Sequence, residues 1–172
     1  MTDPRPVVVF ATSNQGKARE VQAMLPMVRI ETLADHPKID LPPETGATFE
    51  ANARVKAEVA AQALGHWAMA DDSGIEVDAL DGAPGIHSAR YVEGSDEDRV
   101  QALLTAVKDV PDAARGARFV CALALATPDK TLIVHGRWEG RLAHEPRGSH
   151  GFGYDPIFLP HDCSVSSAEL SP

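Results

Sequence analysis

The stretch ADDSGIEVDAL (residues 70–80) sets adjacent carboxylates, Asp71 and Asp72, where an apolar run stops and Ser73 and Gly74 follow. Carboxylates in that position either belong to a solvated turn or hold a cation. Neighbouring residues on a regular strand face opposite ways, so one of the two can coordinate while the other braces. Mg²⁺ takes oxygen ligands in octahedral geometry, commonly one or two carboxylates completed by water and substrate phosphate. Upstream, ATSNQGKA (11–18) joins an apolar run to a helical pattern. It carries Gly16 and Lys17 but has Ala11 and Ala18 where a Walker loop needs glycine and a hydroxyl, so it is not one. A helix N-terminus still offers free N–H groups to an anion; Thr12, Ser13 and Asn14 add short polar groups and Lys17 a charge. The alternative is a plain capped helix with a surface lysine. Glu44 lies in a loop, and Asn52 and Lys56 stand at i,i+4 on one helix face, where a lysine by itself is a solvated side chain. HSARYVEG adds Arg90, and EPRGSHGFGYDP adds Arg147, a glycine-rich turn and Asp155. G-x-S-x-G and HExxH are absent, and GFG alone lacks the dinucleotide spacing. These groups favour a phosphate compound with a metal and do not name a reaction.

The elements that must position them follow from the patterning. PVVVFAT (6–12) is a β-branched apolar run, the pattern of a buried strand. AREVQAML carries a helical stripe that Pro26 ends, and VRIETL (28–33) is a second short strand. Residues 34–47, rich in proline and charge, form a loop long enough to carry function. TFEANARVKAEVAAQAL (48–64) is an alanine-rich helix stopped by Gly65. WAMADD ends a strand, and IEVDAL alternates, with Ile75, Val77 and Ala79 on one face and Glu76 and Asp78 on a solvated one. GAPG (82–85) is a turn, and residues 95–107 read as a helix capped by Ser95. ARFVCALALAT and TLIVHGRWEGRLA read as a long antiparallel hairpin. Strands alternating with helices and then a run of strands give an α/β protein with a mixed sheet.

Length and composition bound the rest. The 172 residues are expected to form a single domain, and 44% apolar with 24% charged residues is an ordinary globular balance. The net charge of -9, without a lysine or arginine cluster, argues against nucleic acid as partner. The polar start MTDPRP and the short VVVF run supply neither a signal peptide nor a span, so a cytoplasmic protein without membrane contact is expected. Cys121 and Cys163 have no zinc spacing and read as reduced thiols.

Four ordered motifs, TSNQGKAREV, ETGATFEANARVKA, ADDSGIEVDALDGAPGIHSARY and PRGSHGFGYDPIF, resemble the inosine triphosphate pyrophosphatase (Ham1) family from about residue 7 onward. The resemblance implies an elongated mixed α/β fold with two lobes around an active-site cleft. It implies Mg²⁺-dependent cleavage of ITP, dITP and XTP to monophosphate and pyrophosphate, cleansing the nucleotide pool, by a cytoplasmic homodimer. By the same resemblance Thr12, Ser13, Asn14, Gln15, Gly16 and Lys17 form the phosphate-binding turn. Asp72 is catalytic proton acceptor and metal ligand, Glu44 a second metal-side carboxylate, and Ser73 touches substrate. Asn52 and Lys56 face the triphosphate, and Phe152, Gly153, Tyr154 and Asp155 meet the nucleoside. Relatives carry a further helix with a lysine and a Ser-His-Arg-Gly motif that are not among these 172 residues, and His87 stands where they often have an aromatic. Without those polar base-readers, relaxed base selectivity is expected. The rival readings are a nucleotide-binding protein with lost or impaired hydrolysis and a Maf-type pyrophosphatase acting on other modified nucleotides.

Overall fold

The computed structural model describes residues 4–171. Its strands are β1 (Val7–Phe10), β2 (Arg29–Thr32), β3 (Ala68–Val77), β4 (Gly116–Ala126), β5 (Thr131–Leu142) and β6 (Phe158–Pro160). The helices are α1 (Gln15–Met24), α2 (Phe49–Leu64) and α3 (Asp96–Ala106), with short 3₁₀ turns between elements. One six-stranded sheet runs in the order β2-β1-β3-β4-β5-β6. β1 is parallel to β2 and β3, whereas β5 and β6 are antiparallel, so the sheet is mixed. The α/β class expected from the sequence is therefore the observed one.

The chain divides into two compact units, residues up to Asp72 with Cys121–His135, and Ser73–Val120 with Gly136 onward. In the first, Phe10, Ala18 and Met69 form a core with Val21, Leu123 and Leu125 packed on it. Asn14 caps α1, its side chain accepting from the N–H groups of Gly16 and Lys17. Thr48 caps α2, and Gly65 ends it in the left-handed conformation at φ 70°. α2 turns Ala53, Ala57, Ala60 and Ala61 inward, all fully buried. Small side chains there let a helix lie close to a sheet.

In the second unit, Ile75, Val77, Leu103, Leu142, Ile157 and Phe158 make the core. Ser95 closes α3 with a capping box to Asp98. Asp71 to Val77 is one continuous strand with Ala68 to Ala70 rather than two pieces separated at DDSG. Gly74 permits this, because a Cβ on it would lie 2.5 Å from the Gly85 carbonyl oxygen and 2.4 Å from Ser88 Oγ. Glu76 and Asp78 do not form the plain solvated face expected. Arg118 binds Asp78 at 2.6 Å and Glu139 at 3.0 Å and lies 3.7 Å from Glu76.

Arg115, 2% exposed, is the largest fully buried side chain. Its guanidinium donates to the carbonyls of Val107, Leu142 and Ala143 at 2.7–3.1 Å. Val107 is the C-cap of α3, where a positive charge also meets the negative end of the helix dipole. Burial pulls the Arg115 pKa down, so these carbonyls must offset the cost of desolvating the charge. Arg115→Met is expected to lower stability by about 3 kcal/mol by orphaning those carbonyls. Arg115→Lys should recover only part of that, because an ammonium lacks the planar fork. Equilibrium urea unfolding of the three proteins checks both statements.

Candidate active site

β3 delivers Asp71 and Asp72, 8% and 7% exposed, in mid-strand, and the strand's alternation gives them different partners. Asp71 Oδ2 receives Lys17 Nζ at 2.5 Å, tying the first turn of α1 to the strand. Asp72 Oδ2 receives Asn52 Nδ2 at 2.8 Å from α2. The strand end of β1 is fixed next to them, the Ala11 N–H donating to the Met69 carbonyl at 2.7 Å.

Asn52, 2% exposed, is the hinge of the arrangement. Its amide donates to Asp72, while its Oδ1 accepts from the Gly46 N–H at 2.8 Å. One amide thus pins the 34–47 loop and the strand carboxylate together. Gly46 must be glycine, since a Cβ would stand 2.5 Å from Asn52 Oδ1 and 2.9 Å from Ala51 Cβ. Beside it Lys56 Nζ meets Glu44 Oε1 at 2.5 Å, both side chains partly sheltered. The i,i+4 face predicted for Asn52 and Lys56 is therefore the face that meets the loop and β3.

Burial is the main cause that raises the Asp72 pKa above the ordinary aspartate value. The Asn52 hydrogen bond and the Lys56 charge oppose the rise; the Glu44 and Asp71 charges add to it. A carboxylate desolvated beside two others is a place where a cation is welcome. The donors are hard oxygens, and among the described residues no three His, Cys, Asp or Glu side chains come together to hold a metal. That donor set fits an ion that takes one or two carboxylates and completes its shell with water and phosphate oxygens, as Mg²⁺ does.

At α1, the Thr12 hydroxyl accepts from the Asn14 N–H at 3.0 Å, and Asn14 in turn accepts from Gly16 and Lys17. Ser13 and Gln15 are exposed on the same turn. Thus Thr12, Asn14, Gly16 and Lys17 are brought together with Asp71, and Glu44, Asn52 and Lys56 with Asp72, all in the first unit. Ser73 and residues 152–155 belong to the second unit. There Asp155 Oδ2 accepts from the Phe152 N–H at 2.9 Å, and its Oδ1 from Ser167 Oγ at 2.9 Å. Asp155 is thereby the brace of the turn, its pKa raised by burial against the lowering effect of those two bonds. Tyr154 donates its hydroxyl to the Ser88 carbonyl at 2.8 Å, and burial pushes its pKa up to about 12. The Phe152 ring is 40% exposed and open to stacking.

Sequence reasoning passed over Gly46 and Cys121. Cys121 feels the charges of Asp71, Lys17, Asp72 and Lys56, and burial first of all pushes its thiol up to about 11. It is a neutral wall of the site rather than a nucleophile. Its place in an alternating strand among alanines was the one available signal.

With this geometry in hand, a family model for Ham1 matches residues 8–172. The chain belongs to the Ham1 family. Over 170 residues it is 49% identical to a dITP/XTP pyrophosphatase of Pseudomonas aeruginosa, covering 96% of this chain and 86% of that protein. A dITP/XTP pyrophosphatase of Vibrio cholerae is 48% identical over 172 residues, with the same shares covered. Among solved structures, a Ham1 protein from Coxiella burnetii superposes with TM-score 0.86 at 40% identity, covering 97% of this chain and 88% of that one. A nucleoside-triphosphatase / dITP/XTP pyrophosphatase from Mycobacterium abscessus gives 0.81 at 43%, covering 96% and 90%. Among the described residues no helix is long and apolar enough to cross a membrane.

Two outcomes follow from the Ham1 site geometry. In the metal-free protein, Asp72 should take up its proton at a pH above that of an ordinary aspartate. Lys56→Met should move that titration higher still, and Glu44→Gln lower, as read by carboxyl ¹³C NMR. Gly46→Ala should displace Asn52 and lower kcat/KM for a nucleoside triphosphate by about tenfold or more, with a smaller effect on the unfolding midpoint.

Proposed function

We propose that this Ham1 chain is a Mg²⁺-dependent pyrophosphohydrolase of the non-canonical purine nucleotides ITP, dITP and XTP. It would release the monophosphate and pyrophosphate, remove deaminated purines from the nucleotide pool, and work in the cytoplasm as a homodimer. The observation that carries the reading is the Asp72–Asn52–Gly46 connection with Lys56 and Glu44 beside it, in a chain nearly half identical to dITP/XTP pyrophosphatases.

The residues have distinct tasks. The positive end of the α1 dipole, with Thr12, Ser13, Asn14, Gln15 and Gly16 around it, attracts phosphate oxygens, and Lys17 and Lys56 balance the triphosphate charge. Asp72 and Glu44 would hold the divalent ion, which when bound screens the phosphates and acidifies water. Asp72 orients the attacking water and accepts its proton, a task its raised pKa suits better than that of an ordinary carboxylate. Attack at the α phosphorus breaks the bond to the bridging oxygen, and pyrophosphate departs against the positive charge of the lysines. Asn52 keeps Asp72 from turning away. Ser73 contacts the substrate, and Phe152, Gly153, Tyr154 and Asp155 form the turn that meets the nucleoside. The alternative of a nucleotide-binding protein that no longer hydrolyses has no observation in its favour.

A panel of ITP, dITP, XTP, GTP and ATP, with Mg²⁺ and with EDTA, tests the reading. Pyrophosphate should be the first product, fastest with ITP or XTP and lost with EDTA. Orthophosphate as first product sinks the α–β cleavage. Asp72→Asn should lower kcat by about a thousandfold while leaving the circular dichroism and the melting midpoint close to those of the parent.

A further inference from the structure

Two successive amides of the 152–155 turn are taken by carboxylates from different places. Asp155 Oδ2 takes the Phe152 N–H from within the turn, and Asp96 Oδ2 takes the Gly153 N–H at 2.8 Å across 57 positions. The turn's own backbone bond, from the Asp155 N–H to the Phe152 carbonyl, is long at 3.3 Å and holds it weakly. Asp96 is firmly set. It opens α3, whose Val100, Leu103 and Val107 are buried against Ile75 and Val77 of β3. Its other oxygen, Oδ1, receives Arg99 Nη2 at 2.7 Å, and Arg99 Nη1 donates to the Gly94 carbonyl at 2.9 Å. The Arg99 hydrogen bond is the main cause that holds the Asp96 carboxyl below the ordinary aspartate value, so it accepts as an ion at neutral pH.

A carboxylate in the first turn of a helix has an ordinary task, to meet the positive end of the dipole. α3 has that task filled without Asp96, since Glu97 and Asp98 stand in the same turn and Asp98 closes the capping box with Ser95. We infer that Asp96 is a positioning residue for nucleoside recognition: through the Gly153 N–H it fixes the turn that presents the Phe152 ring, and Arg99 holds Asp96 in place. This deepens the reading proposed above and rests on its assignment of residues 152–155 to the nucleoside. All of these groups lie in one compact unit. The far half of the turn is tied down separately, by the Tyr154 hydroxyl on the Ser88 carbonyl and by Ser167 Oγ on Asp155. The near half, Phe152 and Gly153, is reached from α3 by Asp96. Losing that bond frees the half that carries the exposed ring and leaves the groups around Asp72 as they were.

Asp96→Ala should raise KM for ITP about tenfold and leave kcat within about twofold, the mark of lost ground-state binding rather than lost chemistry. Inorganic triphosphate, used as a competitive inhibitor, carries phosphates without a nucleoside, so its inhibition constant should not move. Glu97→Ala removes an equal charge from the same helix turn and should change neither KM nor kcat, while both alanine variants melt alike. Asp96→Asn keeps an oxygen for the Gly153 N–H and should recover most of the lost KM. Phe152→Ala separates this inference from the reading beneath it. If Phe152→Ala leaves KM for ITP unchanged, or the parent does not hydrolyse ITP, the nucleoside assignment falls and this role with it. If Phe152→Ala raises KM but Asp96→Ala behaves like Glu97→Ala, the Asp96 role alone is overturned. A triphosphate inhibition constant that rises together with KM also overturns it, because the effect is then a general one. Without any turnover, amide hydrogen exchange at Gly153 should quicken about tenfold in Asp96→Ala, and an unchanged rate overturns the clamp.

Discussion

Successive residues of an extended strand must face opposite ways, and the site is organised around that constraint at Asp71 and Asp72. Because β3 runs straight through both residues, one carboxylate is sent to α1 and Lys17, the other to α2 and Asn52. Two helices that are distant in sequence are thereby referenced to a single stretch of backbone. Their polar ends need no direct contact to be held in register. Had the strand ended at DDSG, the two carboxylates would have shared a mobile turn and neither helix would have a fixed anchor.

Electrostatically the arrangement is close to neutral by pairs and unbalanced by position. Lys17 answers Asp71 and Lys56 answers Glu44, whereas Asp72 takes its hydrogen bond from an amide, with the Lys56 charge adding to it. Amide donation lowers its pKa but does not overcome burial, so Asp72 remains the group with unspent capacity for positive charge. A cation and a proton are the two species able to use that capacity, and these are what a phosphate-cleaving site must manage. In the other unit Arg115 shows the opposite solution, a buried charge hydrogen-bonded by carbonyl dipoles with the Asp112 charge in support.

Much of this was legible in the sequence. The apolar runs, the Ser95 cap and the Gly65 stop set the elements nearly to the residue, because caps and periodicity are local signals. Asn52 and Lys56 could be assigned to one face from spacing alone. What could not be read was who meets whom. That Asp71 belongs to Lys17, across 54 positions, and that Lys56 is engaged by Glu44 depends on the order of strands, which no local pattern encodes. Gly46 was invisible for a related reason, since its necessity comes from a side chain six residues away. The continuity of β3 was missed because Ser-Gly is a turn signal unless a neighbour presses close enough to demand glycine. Glu76 and Asp78, alternating like a wet face, proved to be the counter-charges of Arg118.

The alanine layer has a further consequence. α2 faces inward with Ala53, Ala57, Ala60 and Ala61, and the strands present Ala68, Ala70, Ala122, Ala124 and Ala126, all buried. Alanine has no rotamers, so this layer gives up no side-chain freedom on folding and has none to regain on warming. From Ala53 onward the buried face of α2 is methyl groups alone, and the larger buried side chains, Phe49 and Asn52, stand at its N-terminal end. Thermal expansion of the layer should therefore move α2 as a rigid rod. The spacing of the groups at its N-terminal end then drifts with the whole helix rather than loosening one side chain at a time.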